Sequence, residues 1–128
     1  MILVFGGAYQ GKLEYALKKF NLNESDVYRC VRNDQNPDFS KPIVYGLEEF
    51  VYNCCVNNLE ASAVLESKFK DISSAPTIFV ASDVSQGLVP MDATDRAFRE
   101  MMGRTMLMLA READEVHRIF CGLGQRLK

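Results

Sequence analysis

The chain has 128 residues, of which 48% are hydrophobic and 25% charged, the composition of one soluble globular domain that buries its own core without a disulfide or structural metal. Its 15 Lys and Arg against 17 Asp and Glu give a formal charge of −2 with no cationic cluster, which argues against nucleic acid as a partner. Cys30, Cys54, Cys55 and Cys121 form no metal-binding spacing and read as reduced, small apolar side chains, and the opening apolar run is too short for a secretion signal or a membrane span, so a cytoplasmic protein is expected.

Met1-Ile-Leu-Val-Phe5 is a continuous apolar run ending at Gly6-Gly7, as in a strand buried on both faces of a parallel sheet. From Lys12 onward Leu13, Ala16, Leu17 and Phe20 recur at helical spacing. Residues 27–31 are rich in β-formers and predict a second strand, and residues 32–42 read as a surface loop because Asn33, Asp34, Asn36, Pro37 and Pro42 supply turn chemistry. Ile43, Val44 and Tyr45 fit either a short strand or the entry to a helix. One or two helices follow, on the spacing of Leu47, Phe50, Val51, Cys54 and Cys55 and then of residues 59–69. Residues 77–81 predict a strand, and residues 92–113 a long helix with Phe98, Met101, Met102, Thr105, Leu109 and Ala113 along one face, the methionines serving as core filling. Residues 116–121, a turn at 122–124 and residues 125–128 predict a closing hairpin. Strands alternating with helices imply one α/β domain over residues 1–128 with a mostly parallel sheet.

Gly6, Gly7, Ala8, Tyr9, Gln10, Gly11 and Lys12 match the phosphate-binding pattern G-x-x-x-x-G-K between a buried strand and a helix. Glycines let the backbone wrap with its N–H groups inward, the helix start adds partial positive charge, and a lysine reaches terminal phosphates, so the expected ligand is GTP or ATP. The full pattern continues with Ser or Thr, whose hydroxyl binds Mg²⁺; here the residue is Leu13. Asp83 follows a buried strand, where α/β domains place their sites, and is the candidate Mg²⁺ ligand and, with Lys12, the candidate catalytic pair.

Further motifs follow. Residues 83–90, Asp-Val-Ser-Gln-Gly-Leu-Val-Pro, are similar to an E-V-G-x-G-I-V-P segment, with Gly87 and Pro90 retained. Arg96, Phe98, Arg99, Gly103 and Arg104, then Ala110, Ala113, Asp114, Glu115 and Val116, match R-x-F-R-D-x-x-G-R and A-x-x-A-D-E-V, and residues 121–128 resemble a terminal G-[IL]-x-x-x-[IL]-K. With the strand and phosphate loop of residues 1–12, these segments resemble, in order, the bifunctional adenosylcobinamide kinase / adenosylcobinamide-phosphate guanylyltransferase family of cobalamin biosynthesis. The resemblance implies a P-loop, RecA-like α/β fold with flanking helices and a C-terminal hairpin strand, and a homo-oligomer. It also implies phosphorylation of the adenosylcobinamide side-chain hydroxyl by ATP or GTP, and GMP transfer from GTP.

The departures are specific. The family guanylylates a histidine after its second strand, and residues 32–42 contain none; the sole histidine, His117, matches no family motif and reads as structural. Tyr45 or Gly46 stands where the family has a strand-end acid, and the middle of the chain is shorter. The expected function is therefore a reduced, kinase-type enzyme of cobamide assembly that binds a nucleoside triphosphate and has lost the usual guanylyl route, with Arg96, Arg99 and Arg104 as candidate charge stabilisers. The alternatives are an inactive nucleotide- or corrinoid-binding accessory protein and a scaffold subunit.

Overall fold

The computed structural model describes residues 1–34, 36–71, 77–84 and 93–128. Strand β1 (Ile2–Gly6) runs through the middle of the sheet, and its neighbours Leu3 and Val4 point to opposite faces yet are both buried, which explains why the run carries no polar alternation. In chain order the other strands are β2 (Val27–Arg29), β3 (Ile43–Tyr45), β4 (Ile78–Ser82), β5 (Glu115–Phe120) and β6 (Leu123–Arg126). The spatial order is β2-β3-β4-β1-β5-β6, parallel throughout except for the antiparallel β5–β6 pair. The stretch that fits strand or helix on sequence alone is therefore a strand, hydrogen-bonded between β2 and β4.

One face is covered by α1 (Lys12–Lys19), whose Leu13 and Ala16 pack on Val4, Val27, Ile43, Val80 and Ile119. The other is covered by α2 (Leu47–Val56), α3 (Ala61–Asp71) and α4 (Ala93–Glu112), packed over Leu3, Val44, Phe79, Ala81 and Val116. α2 and α3 are separate because Asn58 takes a left-handed conformation, φ 57°, which Asn tolerates better than most residues and which a helix cannot contain. On α4 Met101, Met102 and Met108 are buried as core filling, and the Thr105 hydroxyl, buried beside them, donates to the Met101 carbonyl at 2.8 Å. No helix among the described residues is long and apolar enough to cross a membrane.

Two expectations are corrected. The segment after β2 is more than a surface loop: Phe39 turns inward and is buried, its ring centroid 5.3 Å from Phe50 and 6.3 Å from Phe79. The C-terminal hairpin turns one residue earlier than expected, through Cys121 and Gly122 at φ 52° and 75°. Positive φ at both central residues is the twist that suits a two-residue hairpin. Cys121 is thereby exposed, whereas Cys30 and Cys54 are buried as small apolar side chains.

Candidate functional site

Parallel strands deliver their carboxyl ends to one edge of the sheet, and there the loop between β1 and α1 sits beside the ends of β3, β4 and β5. The Asp83 amide donates to the Gly6 carbonyl at 2.8 Å, and the Gly46 amide to the Val80 carbonyl at 3.1 Å. Gly6 is required by a close approach: a Cβ there would lie 2.4 Å from the Ile119 carbonyl oxygen. Gly11 is required by conformation, at φ 82°, where the chain leaves the loop and α1 begins. Tyr9 marks the loop apex, fully exposed and at φ 58°.

Lys12 is the charged residue that this loop encloses. It is only 5% exposed, and its ammonium donates to the Gly7 carbonyl at 2.7 Å, folded back across the loop. Burial lowers its pKa, and the Glu48 and Glu14 carboxylates work in the opposite direction. Leu13 is turned into the core beneath α1, so the position after the lysine faces apolar side chains.

A cleft of about 1230 Å³ opens over the loop and along α1, lined by residues 8–15 and by Lys18, Lys19, Arg29, Tyr45, Glu48 and Ser82, with Gly122, Leu123 and Gly124 on the hairpin side. Sequence reasoning missed Glu48. It lies in the first turn of α2, two residues beyond the glycine at the strand-end position, and its Oε2 accepts the Ser82 amide at 3.0 Å. Acidic residues in a first helical turn, Glu48 and Glu49, are the available signal, and a weak one, because acids are favoured at any helix start. Asp83 lines a neighbouring hollow of about 210 Å³ with Phe5, Arg99 and Met102, beside the cleft that holds Lys12. Residues 85–90, which carry part of the resemblance, lie outside the described residues.

Among the three arginines, Arg99 lines the Asp83 hollow and Arg96 is exposed. Arg104 is spent on Glu60, with Nε–Oε1 at 3.2 Å and Nη2–Oε2 at 3.1 Å, joining α4 to the start of α3. Among the described residues no group of three or more His, Cys, Asp or Glu side chains converges as a metal cage. Mg²⁺ at a phosphate site needs only one or two carboxylates, the phosphates and waters supplying the rest, and Glu48 is a carboxylate that lines the cleft together with Lys12.

His117 on β5 is buried beneath α1 with both ring nitrogens engaged: Nε2 lies 3.1 Å from the Glu115 carboxylate and Nδ1 3.0 Å from the Tyr15 hydroxyl. A carboxylate only accepts, so Nε2 carries a proton toward Glu115, and the Tyr15 hydroxyl is the partner of Nδ1. The hydrogen bond to His117 holds the Glu115 carboxyl below the usual range, and Arg126, at 3.3 Å, adds to the effect. Tyr15→Phe leaves a buried imidazole nitrogen without its partner, so a loss of about 1–3 kcal/mol in unfolding free energy is expected from denaturant titration.

Comparison with known proteins bears on the family of the chain, over a span that begins after the glycine-rich loop. The family model described as cobinamide kinase / cobinamide phosphate guanyltransferase matches residues 47–127, a span that includes Glu48, Asp83 and the hairpin. A stretch of 54 residues is 37% identical to the bifunctional adenosylcobalamin biosynthesis protein CobU of Salmonella typhimurium strain LT2, covering 42% of this chain and 30% of that protein. With more than half of its residues matched by the family model, and in an α/β fold with a glycine-rich loop after its central strand, the chain belongs to the cobinamide kinase / cobinamide phosphate guanyltransferase family.

Proposed function

We propose that the chain binds GTP or ATP as the Mg²⁺ complex in the cleft over Gly6–Lys12 and transfers the terminal phosphoryl group to a hydroxyl of an adenosylcobinamide-type corrinoid. The observation that carries the reading is Lys12, an ammonium buried inside a glycine-rich loop at the carboxyl end of the central strand, with a backbone carbonyl as its hydrogen-bond acceptor. Exchanging that carbonyl for a phosphate replaces a neutral acceptor by a charged one, which is the stronger hydrogen bond. The loop amides and Lys12 hold the phosphates, while Glu48 and Asp83 are the residues proposed to hold Mg²⁺. When bound, Mg²⁺ supplies charge neutralisation at the transferring group.

Guanylyl transfer by the family's histidine route is left out of this reading, because no histidine lies in residues 32–42 and His117 has both nitrogens committed inside the sheet. A second reading, a nucleotide-binding accessory protein without turnover, is favoured by one observation: Leu13 places an apolar, buried side chain where the pattern calls for a metal-binding hydroxyl.

Calorimetric titration with GTP and ATP, each with and without Mg²⁺, separates the readings. Micromolar binding, roughly −8 kcal/mol, is expected, tighter with Mg²⁺, and Glu48→Gln is expected to remove the Mg²⁺ advantage. Label transfer from γ-labelled nucleotide to adenosylcobinamide supports the enzyme, and binding without transfer supports the accessory protein. Absence of binding by either nucleotide rejects both.

A further inference from the structure

The loop is tied to the far end of the chain through one residue. The Gln10 carbonyl accepts the Gly122 amide at 2.8 Å, and its side-chain Oε1 accepts the Cys121 amide at 2.6 Å. Both donors belong to the hairpin turn, where successive positive φ angles aim two N–H groups the same way. Contact continues at Gly11, where an added Cβ would sit 3.4 Å from the Gly122 Cα. Ala8 and Tyr9 precede this anchor as an exposed apex.

A trans peptide is planar, and its C=O and N–H point in opposite directions. All described peptide bonds are trans. Fixing the Gln10 carbonyl against the Gly122 amide therefore fixes the Gly11 N–H to point away from the hairpin. Gly11 lines the cleft, in the part of the pattern whose amides cradle phosphate. Without the turn, that peptide has no partner for its carbonyl and is free to rotate, since Gly11 lacks the side chain that would restrict it.

The geometry points to the C-terminal hairpin turn as the positioning element of the phosphate loop: the Cys121 and Gly122 amides, acting through Gln10, set the Gly11 N–H for donation to a bound polyphosphate. This rests on the nucleotide-binding reading above. It adds Gln10 as a positioning residue, in contact with the turn rather than chosen for its own chemistry toward phosphate.

The test uses the full chain assembled by ligation at Cys121, with residue 122 as glycine, as D-alanine, or as glycolate, which joins Cys121 through an ester. D-alanine keeps the positive φ and the N–H, and the ester removes the N–H without a proline ring, which would force Cys121 out of its left-handed conformation. Tripolyphosphate is the probe, with GTP and Mg²⁺ in a second arm, and the unfolding midpoint of each ligand-free protein is recorded. The ester is expected to raise the Kd for tripolyphosphate roughly tenfold or more, with D-alanine keeping the glycine value; Gln10→Met shifts the Kd in the same direction. A merely structural role would lower the unfolding midpoint and leave the affinity of the folded protein unchanged. Equal affinity of the folded ester and glycine proteins overturns the inference while the nucleotide reading stands. If the glycine protein binds neither tripolyphosphate nor GTP, both fall together.

Discussion

Lys12→Ala is expected to weaken GTP binding by about 2–5 kcal/mol, the usual cost of truncating one partner of a buried charge pair, or roughly 30-fold to several-thousand-fold in Kd. Two effects add. The phosphates lose their cation, and the Glu48 and Glu14 carboxylates, whose fields act on Lys12, are left to repel the incoming anion. Stability of the ligand-free protein should move the other way or stay put. Burial lowers the Lys12 pKa, so its charged form is disfavoured in the fold, and an apolar replacement removes that penalty. Lys12→Met, which keeps most of the side-chain volume, is the cleaner variant for this second half. Titration calorimetry and urea unfolding on the same preparations read both signs. Unchanged affinity would remove Lys12 from the site, and a collapse in stability would make it a structural residue.

The largest expected loss of stability is at Phe79. Its ring is fully buried at the centre of β4, 5.6 Å from Phe69 and 6.3 Å from Phe39, so it joins the sheet, α3 and the segment after β2 into one core. Phe79→Ala is expected to cost about 3–5 kcal/mol, the transfer term plus an unfilled cavity. Phe79→Leu, which refills part of the space, should lose less than half as much. Urea unfolding followed by circular dichroism measures both. A cost below about 1 kcal/mol for alanine would mean that the surrounding rings close over the gap, contrary to the tight packing of protein interiors.

Legibility in the sequence tracked how local each determinant is. β1, the glycine loop and α1 are written within consecutive residues: an apolar run, two glycines, then helical spacing from Lys12, so their order and the placement of the loop could be read directly. The three residues Ile43–Tyr45 are too few to show a period, and only their pairing with β2 and β4 makes them a strand. Phe39 sits among prolines, aspartates and serines, and its burial is decided by Phe50 and Phe79 far along the chain. Glu48 was hidden because it reaches the cleft from a helical turn, past the glycine at the strand end where the acid was sought. Gln10 could be placed in the loop, but its bond to Cys121 joins residues 111 apart and leaves no local trace.

The hairpin turn also decides the chemistry available at the thiols. Burial pushes Cys30 up to about 12, with Glu48 and Glu49 adding to it, and Cys54 up to about 11, so neither offers thiolate to a reagent near neutral pH. Cys121 alone is exposed, and its backbone amide touches the loop through Gln10. A maleimide fluorophore sensitive to polarity therefore finds its most open address on this chain at Cys121, with the half-buried Cys55 as the second, and from Cys121 its emission would register what enters the neighbouring loop without any engineered cysteine.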